Sequence, residues 1–242
     1  FVFRFNWGLG TVEGASAVIN LAGSFKDMYA VHVEGARNIA EAARDCGAEA
    51  LVHISAIGAD PESEAVYART KGEGEQAVHS AFPNATIIRP SIVFGPEDKL
   101  THRLASMSRL PALPVIAPKC RFQPVYVEDL AKAVAAAAVD PRYGGKTYEI
   151  GGPQVLTMRE LTIEILKAAN REPELVEVPG PVAAFLSWFG FLPGAPLTRD
   201  QWLMLQHDNV PAKGAPGLDA FGIRPTPFGA VAKEWLGMYG GN

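Results

Sequence analysis

Short apolar runs alternate with helical periodicity through the first half of this chain. Residues 17–22, 51–55 and 86–89 are mostly apolar runs, short enough to be buried strands. In residues 31–47 and 67–81, apolar positions recur mainly at spacings of three and four, which indicates amphipathic helices. Strands that alternate with helices predict right-handed crossovers and a parallel sheet covered on both faces. The pattern therefore predicts an α/β fold.

Two capping boxes mark helix starts in the second half of the chain. Thr157 with Glu160, and Thr198 with Gln201, have the spacing in which each side chain bonds the backbone N–H of the other residue. The helix that Thr198 opens is predicted to reach residue 208. Elements in this half are shorter and more mixed than those before it.

Composition and charge narrow the function classes. The 242 residues are 48% hydrophobic and 20% charged, which is ordinary for a globular protein and excludes disorder. The formal net charge of −4 argues against a nucleic-acid partner. No run approaches the roughly 20 apolar residues that span a bilayer. The two cysteines and five histidines lack the spacing of metal ligands, so we predict no metal site and expect a reduced, cytoplasmic location.

The sharpest chemical feature is Tyr67 followed four residues later by Lys71. Side chains at this spacing share one face of a helix. The lysine charge is expected to favour phenolate and so to lower the pKa of the tyrosine, which suits proton transfer to a substrate oxygen. The lysine can also hydrogen-bond a cofactor ribose. The alternative is a chance pair of exposed side chains, which many helices carry.

Several motifs follow one another in a fixed order around this pair. They are the segment Asn20-Leu21-Ala22-Gly23, a strand that ends at Ser55, the pair itself, and the segment Arg89-Pro90-Ser91-Ile92-Val93. Together they resemble the extended branch of the short-chain dehydrogenase/reductase superfamily. The segments that begin at His53, Phe82 and Leu197 are similar to bacterial relatives of the 39-kDa accessory subunit of respiratory complex I.

The resemblance implies a role for each motif. The implied catalytic set is Tyr67, Lys71 and Ser55. The adenosine half of a nicotinamide nucleotide is expected beside Asn20, Leu21, Ala22 and Gly23. The nicotinamide half is expected beside Ile54, Ser55, Tyr67, Lys71, Arg89, Pro90, Ser91, Ile92 and Val93. The cofactor is NADPH or NADH, and NADPH is the form that the resemblance favours.

The resemblance also implies a domain organisation. Residues 1–150 are expected to form an incomplete Rossmann-like domain, doubly wound, with its first strands apparently missing. Residues 151–242 are expected to be mainly a small C-terminal substrate or cap region, joined by some segments after residue 94. The apolar residues 182–192 fit a docking surface or a lid helix over a substrate pocket.

The implied partners are a nicotinamide nucleotide and respiratory complex I or a membrane surface. A hydrophobic small molecule or quinone is a further implied partner. Such partners place the protein in the cytoplasm, peripherally on the inner membrane.

One departure from the family pattern concerns the glycine-rich phosphate loop. Gly8 and Gly10 follow an apolar start, but too few residues separate them from the strand at residue 17 to form the required helix. They are therefore interpreted as unrelated to the loop. The loop itself is expected upstream of Val12.

A second departure concerns catalysis. Ala56 rather than Ser55 aligns with the catalytic hydroxyl, and His32 falls where the family has asparagine. Losing a donor aimed at developing charge lowers a rate by about 10²–10³. The sequence therefore predicts a nucleotide-binding protein with weak or no turnover. An active oxidoreductase or epimerase on a hydrophobic alcohol or ketone, and an interaction protein without cofactor, remain as alternatives.

Overall fold

The computed structural model describes residue 12, residues 14–191 and residues 197–240. The described chain divides into two compact units, each built from separate segments. The first unit contains the described residues up to Pro90, Ala131–Ile150 and Lys213–Ile223; the second contains Ser91–Leu130 and the remaining described residues. Gly8 and Gly10 lie outside the described residues.

The strands and helices follow in chain order. The strands are β1 (Ala17–Asn20), β2 (Ala50–Ile54), β3 (Thr86–Pro90), β4 (Val93–Phe94), β5 (Ala112–Val115), β6 (Arg121–Phe122), β7 (Val125–Tyr126), β8 (Thr147–Ile150), β9 (Leu156–Thr157) and β10 (Glu174–Glu177). The α-helices are α1 (Ala36–Asp45), α2 (Val66–Ala81), α3 (Lys99–Met107), α4 (Val127–Val139), α5 (Met158–Ala168), α6 (Gly180–Ser187), α7 (Arg199–Met204), α8 (Phe228–Val231) and α9 (Lys233–Leu236). A π-helix covers Ala30–Gly35.

The first unit is organised around a parallel sheet in the order β1, β2, β3, β8. Leu51 and Ile87 lie on one face, in a core cluster with Ala40 of α1. Val52 and Ile88, each the next residue along the same strand, point to the opposite face and are fully buried. Both faces are therefore covered, and the predicted α/β fold with a parallel sheet is confirmed.

The second unit pairs short strands around its own core. β5 and β10 pair in parallel, β4 and β7 pair in parallel, and β6 and β9 pair antiparallel. The core cluster includes Phe94, Leu161, Phe228 and Trp235. The predicted capping box at Thr157 is present, with both reciprocal bonds to Glu160, and it begins α5.

The structure changes two of the predicted helix bounds. The helix expected over 31–47 begins as a π-helix and continues as α1. The helix that begins after the Thr198 capping box ends at Met204 rather than at residue 208. It ends early because Asp208 accepts hydrogen bonds from the backbone N–H and the guanidinium of Arg121, which draws this stretch onto β6. Within the described part of the chain, no helix is both long and apolar enough to cross a membrane.

Candidate functional site

The carboxyl ends of β1 and β2 lie side by side in the sheet of the first unit. Asn20, the last residue of β1, is the register partner of His53 in β2, and Ser55 follows the end of β2. Open parallel sheets of this kind bind ligands beyond the carboxyl ends of their strands. The predicted site residues of both segments therefore share the edge where a ligand is expected.

Lys71 reaches this edge from α2. Its Nζ donates a hydrogen bond to the carbonyl oxygen of Ile54 at 3.0 Å, and the residue is only 4% exposed. A Cβ built on Gly23 would lie 3.9 Å from the same Nζ, so the ammonium is also close to the segment after β1. Burial lowers the pKa of Lys71 to about 8, and the nearby Glu75 opposes that shift. At neutral pH the site therefore still holds a positive charge between two strand ends.

Tyr67 lies one helical turn before Lys71, in contact with two other rings. The Phe25 ring stacks on it with centroids 4.9 Å apart and an interplanar angle of 17°. The His32 ring meets it edge-on at 5.3 Å and 88°. Burial raises the pKa of Tyr67, because a phenolate would lose hydration there.

The expectation that Lys71 lowers the pKa of Tyr67 is therefore wrong. The lysine charge is directed to the Ile54 carbonyl, and desolvation of the phenol outweighs any effect of the lysine. Tyr67 consequently remains a protonated hydroxyl at neutral pH. It can donate a hydrogen bond, but it is poorly suited to accept a proton.

Ser55 carries a buried hydroxyl at the end of β2. Its backbone N–H donates to the Ile88 carbonyl at 2.7 Å, which continues the pairing of β2 with β3. Its Oγ is buried and has no hydrogen-bond partner among the described residues. Leaving a buried hydroxyl unpaired costs about 1–3 kcal/mol, so such a group is expected to meet a ligand atom or a water. Ala56, the other candidate for the hydroxyl position, has none to offer.

Asn20 uses its side chain to hold the strand end. Its Oδ1 accepts from the backbone N–H of Ala22 at 3.0 Å, and its Nδ2 donates to His53 Nδ1 at 3.0 Å. Leu21 is 69% exposed and Gly23 is exposed, which leaves this turn open beside Lys71. The Asn20 amide therefore holds the predicted cofactor segment in place. The exposed residues Leu21 and Gly23 form the surface of that segment.

The Arg89 guanidinium forms ion pairs with two carboxylates of the first unit, an arrangement called the ion cluster below. Its Nε and Nη2 donate to the two carboxylate oxygens of Glu75 at 2.8 and 2.6 Å, and its Nη1 lies 3.3 Å from Glu149 Oε1. The pKa of Arg89 is raised by these bonds. The carbonyl of the next residue, Pro90, accepts from the Ile57 N–H at 3.1 Å.

The rest of the predicted nicotinamide segment lies in the second unit. Ser91 Oγ donates to the Asn209 carbonyl at 2.7 Å and accepts from the Gln123 N–H at 3.1 Å. The Ile92 carbonyl accepts from the Val125 N–H, and Val93 pairs with Val125 as part of β4. These residues have local structural partners in that unit.

Sequence reasoning missed how closely His32 and Phe25 are associated with Tyr67. His32 Nε2 accepts from the Ser24 backbone N–H at 3.1 Å, and His32 Nδ1 lies 2.9 Å from Thr70 Oγ1. The sequence signal for His32 was its place where the family has asparagine, which did not predict the contact with Tyr67. Phe25 gave no signal, because it lies outside any periodic segment.

Gly74 makes the packing around His32 possible. A Cβ at this position would lie 2.1 Å from the His32 carbonyl oxygen, a backbone atom that cannot turn away. Gly74→Ala is therefore expected to lower the free energy of unfolding by about 2–3 kcal/mol, as overpacking does. Urea unfolding checks it, with Gly229→Ala in α8 as control, where the nearest atom would be 3.8 Å away. A Gly74→Ala protein as stable as the control would contradict this packing.

The described residues contain no cluster of three or more His, Cys, Asp or Glu side chains that could hold a metal ion. The edge of β1 and β2 offers a buried ammonium, a protonated phenol and an unpaired serine hydroxyl instead. Such donors suit the hydroxyl and carbonyl oxygens of a polar ligand. The arrangement can bind and orient such a ligand.

Comparison with known proteins decides the family. The model of the RmlD substrate binding domain family matches residues 24–185, well over half of the chain. The chain belongs to this family. The resemblance to the extended short-chain dehydrogenase/reductases is thereby confirmed.

Proteins with similar sequences include mitochondrial NADH dehydrogenase subunits. The rat (Rattus norvegicus) NADH dehydrogenase (ubiquinone) 1 alpha subcomplex subunit 9 is 34% identical over 241 residues, which cover 93% of this chain and 62% of the rat protein. The NADH-ubiquinone oxidoreductase 40 kDa subunit of Neurospora crassa is 31% identical over 247 residues, covering 96% and 63%. The chain thus spans about three fifths of the length of these relatives.

A solved structure supports the Rossmann-like fold. The NADPH-dependent quinone oxidoreductase of Escherichia coli, complexed with NADPH, matches with a TM-score of 0.74 at 18% identity. The match covers 93% of this chain and 78% of that one. The fold class predicted from the sequence is therefore confirmed.

Proposed function

We propose that the protein holds a nicotinamide nucleotide at the carboxyl ends of β1 and β2, with little or no turnover. The observation that carries the proposal is the buried Lys71 ammonium, which bonds the end of β2 and lies close to Gly23 after β1. The relatives' names and the NADPH complex of the structural neighbour support the same ligand class. The resemblance favours NADPH over NADH.

The residues at this edge fit the ribose and nicotinamide half of such a nucleotide. Lys71 and Tyr67 would donate to the ribose hydroxyls, and the unpaired Ser55 hydroxyl would meet a polar atom nearby. Leu21 and Gly23, which are exposed, would lie beside the adenosine half. Ile54 contributes the backbone carbonyl that orients Lys71. A bound nicotinamide nucleotide would supply the capacity for hydride transfer.

We expect slow turnover because the side chains at this site are poorly suited to donate a proton or to polarise a substrate oxygen. Hydride chemistry needs a substrate oxygen that is polarised as charge develops and a proton that moves at the right moment. Burial raises the pKa of Tyr67, which makes its phenol a weak proton donor, and Ala56 aligns with the hydroxyl that the family uses in catalysis. Arg89 is bound to Glu75 and Glu149 and leaves the substrate without its guanidinium. The site is therefore better suited to retaining a nucleotide than to consuming it.

The names of the relatives also suggest a protein partner. We propose that the protein associates with respiratory complex I at the cytoplasmic face of the inner membrane. The exposed rings of Phe185, Trp188 and Phe191 support an apolar partner surface or a quinone-like molecule as the contact.

A single-turnover experiment tests the proposed function. The protein is loaded with NADPH, and nucleotide absorbance is followed after mixing with a panel of quinones and hydrophobic ketones. We expect the nucleotide to bind and to stay reduced for far longer than a turnover of about 0.1 s, the scale of a typical enzyme. Rapid oxidation that is lost in Tyr67→Phe would identify a working oxidoreductase. A protein that binds neither NADPH nor NADH would be an interaction protein instead.

A further inference from the structure

His32 joins three segments of the first unit through one buried ring. The Ser24 N–H donates to Nε2, so the ring proton lies on Nδ1 and is donated to Thr70 Oγ1. Thr70 in turn donates to the Val66 carbonyl at 2.9 Å, one residue before Tyr67. His32 is 1% exposed, and both of its nitrogens are satisfied. The ring therefore connects the turn after β1 to the start of α2.

The backbone of His32 is held as firmly as its side chain. It lies in the π-helix, a wider turn that is frequent at functional sites. Its carbonyl oxygen lies where a Cβ of residue 74 would be, which requires glycine in α2. The position of the imidazole is thus fixed from two sides.

Phe25 is the residue that this connection affects most. It follows Ser24 directly, and its side chain is mostly exposed although its ring stacks on Tyr67. An exposed ring in a turn has many orientations, and one stacked pair by itself restricts them only weakly. The bond from Ser24 to His32 removes much of that freedom. Burial and the Lys71 charge lower the pKa of His32 to about 4, so Nε2 remains an acceptor at neutral pH.

We propose that His32 is a positioning residue of the nucleotide site, which holds Phe25 over one face of Tyr67. The stacked Phe25 ring excludes water from that face of Tyr67 and fixes the direction of the tyrosine hydroxyl. It also fixes the end of the segment that runs from Asn20 to Gly23, immediately before Ser24. The inference rests on the proposed function for its effect on nucleotide affinity, and on the contacts of His32 for its effect on Phe25.

The first test is spectroscopic and uses no nucleotide. Phenylalanine is labelled with ¹³C, and the Phe25 ring signals are assigned by their loss in Phe25→Leu. In the native protein these signals are expected to carry the ring-current shift of Tyr67, which Tyr67→Leu removes. His32→Ala is expected to remove the same shift while other phenylalanine signals stay in place. Unchanged Phe25 signals in His32→Ala would overturn the proposal.

Two further variants keep the test decisive. Thr70→Val removes the other partner of the imidazole at nearly constant volume and is expected to reduce the same shift, so it serves if His32→Ala does not fold. His207→Ala replaces an exposed histidine of the second unit and is expected to leave the Phe25 signals unchanged. If the ring-current shift of Phe25 persists in both His32→Ala and Thr70→Val, Phe25 stacks on Tyr67 independently of His32, and the proposal is overturned.

The second test is nucleotide affinity measured by calorimetry on the same proteins. We expect His32→Ala to bind NADPH about tenfold more weakly than the native protein, although Lys71 is intact. Native affinity in His32→Ala would overturn the positioning role. If the native protein itself binds no nucleotide, the proposed function fails, and the role of His32 in the nucleotide site is overturned with it. The Phe25 signals then still show whether His32 holds Phe25, so the two failures are distinguishable.

Discussion

Replacing Arg89 by methionine is expected to lower the free energy of unfolding by about 3 kcal/mol. The guanidinium makes two bonds to Glu75, whose side chain is only 9% exposed, and a longer one to Glu149. Without Arg89 the Glu75 charge would remain buried beside an apolar side chain. Breaking a buried pair by removing one partner costs about 3–5 kcal/mol. The lower end applies because the Arg89 side chain is 26% exposed.

Urea unfolding of two companion variants separates the ion cluster from general damage. Arg89→Met combined with Glu75→Gln is expected to recover part of the loss, because the charge that was left unpaired is gone. Arg44→Met, which breaks the exposed pair with Asp45, is expected to change stability by less than about 1 kcal/mol. A loss in Arg89→Met as small as that in Arg44→Met would mean that the guanidinium is free to serve a ligand.

Acidification from pH 6.5 to 4.5 is expected to destabilise the protein by several kcal/mol through two histidines. Burial, helped by the charge of Lys71, lowers the pKa of His32 to about 4 and that of His53 to about 3. In the unfolded chain both have a pKa near 6.5, so below that pH the unfolded state binds more protons than the folded one. Stability is therefore fully present above pH 6.5 and falls with acid by about 1.4 kcal/mol per pH unit for each histidine.

The free energy of unfolding, measured in urea at pH 6.5, 5.5 and 4.5, checks this expectation. His32→Asn and His53→Gln are each expected to flatten the pH dependence by about one proton. His207→Gln, an exposed control, is expected to leave the native slope unchanged. A native slope retained in both buried-histidine variants would contradict the neutral state of these rings.

The sheet, and the edge of it that carries the candidate site residues, were predictable because they depend on local sequence pattern. Apolar runs and helical spacing located β1, β2, β3 and α2, and parallel strands necessarily bring their carboxyl ends to one edge. The Tyr67–Lys71 spacing placed both side chains on one face of α2. These inferences need only the periodicity of the chain.

The electrostatics of the site were not predictable in the same way. Whether Lys71 lowers the pKa of Tyr67 depends on burial and on the carbonyl of Ile54, 17 residues earlier in the chain. The partners of Arg89 come from α2 and β8, and Glu149 is 60 residues away. Such contacts arise only when distant segments pack. The contact of Phe25 with Tyr67 is of the same kind, since a turn residue carries no periodic signal.

We propose that Lys71 and Tyr67 hold a nicotinamide nucleotide, and the affinity for NADPH tests this most directly. NADPH affinity is determined by calorimetry for the native protein, for Lys71→Met and for Lys213→Met, which replaces an exposed lysine of the same unit. A charge-assisted hydrogen bond contributes about 1.5–3 kcal/mol, so Lys71→Met is expected to bind about 10- to 100-fold more weakly. Lys213→Met is expected to bind as the native protein does. Equal affinity in a folded Lys71→Met protein would contradict the account.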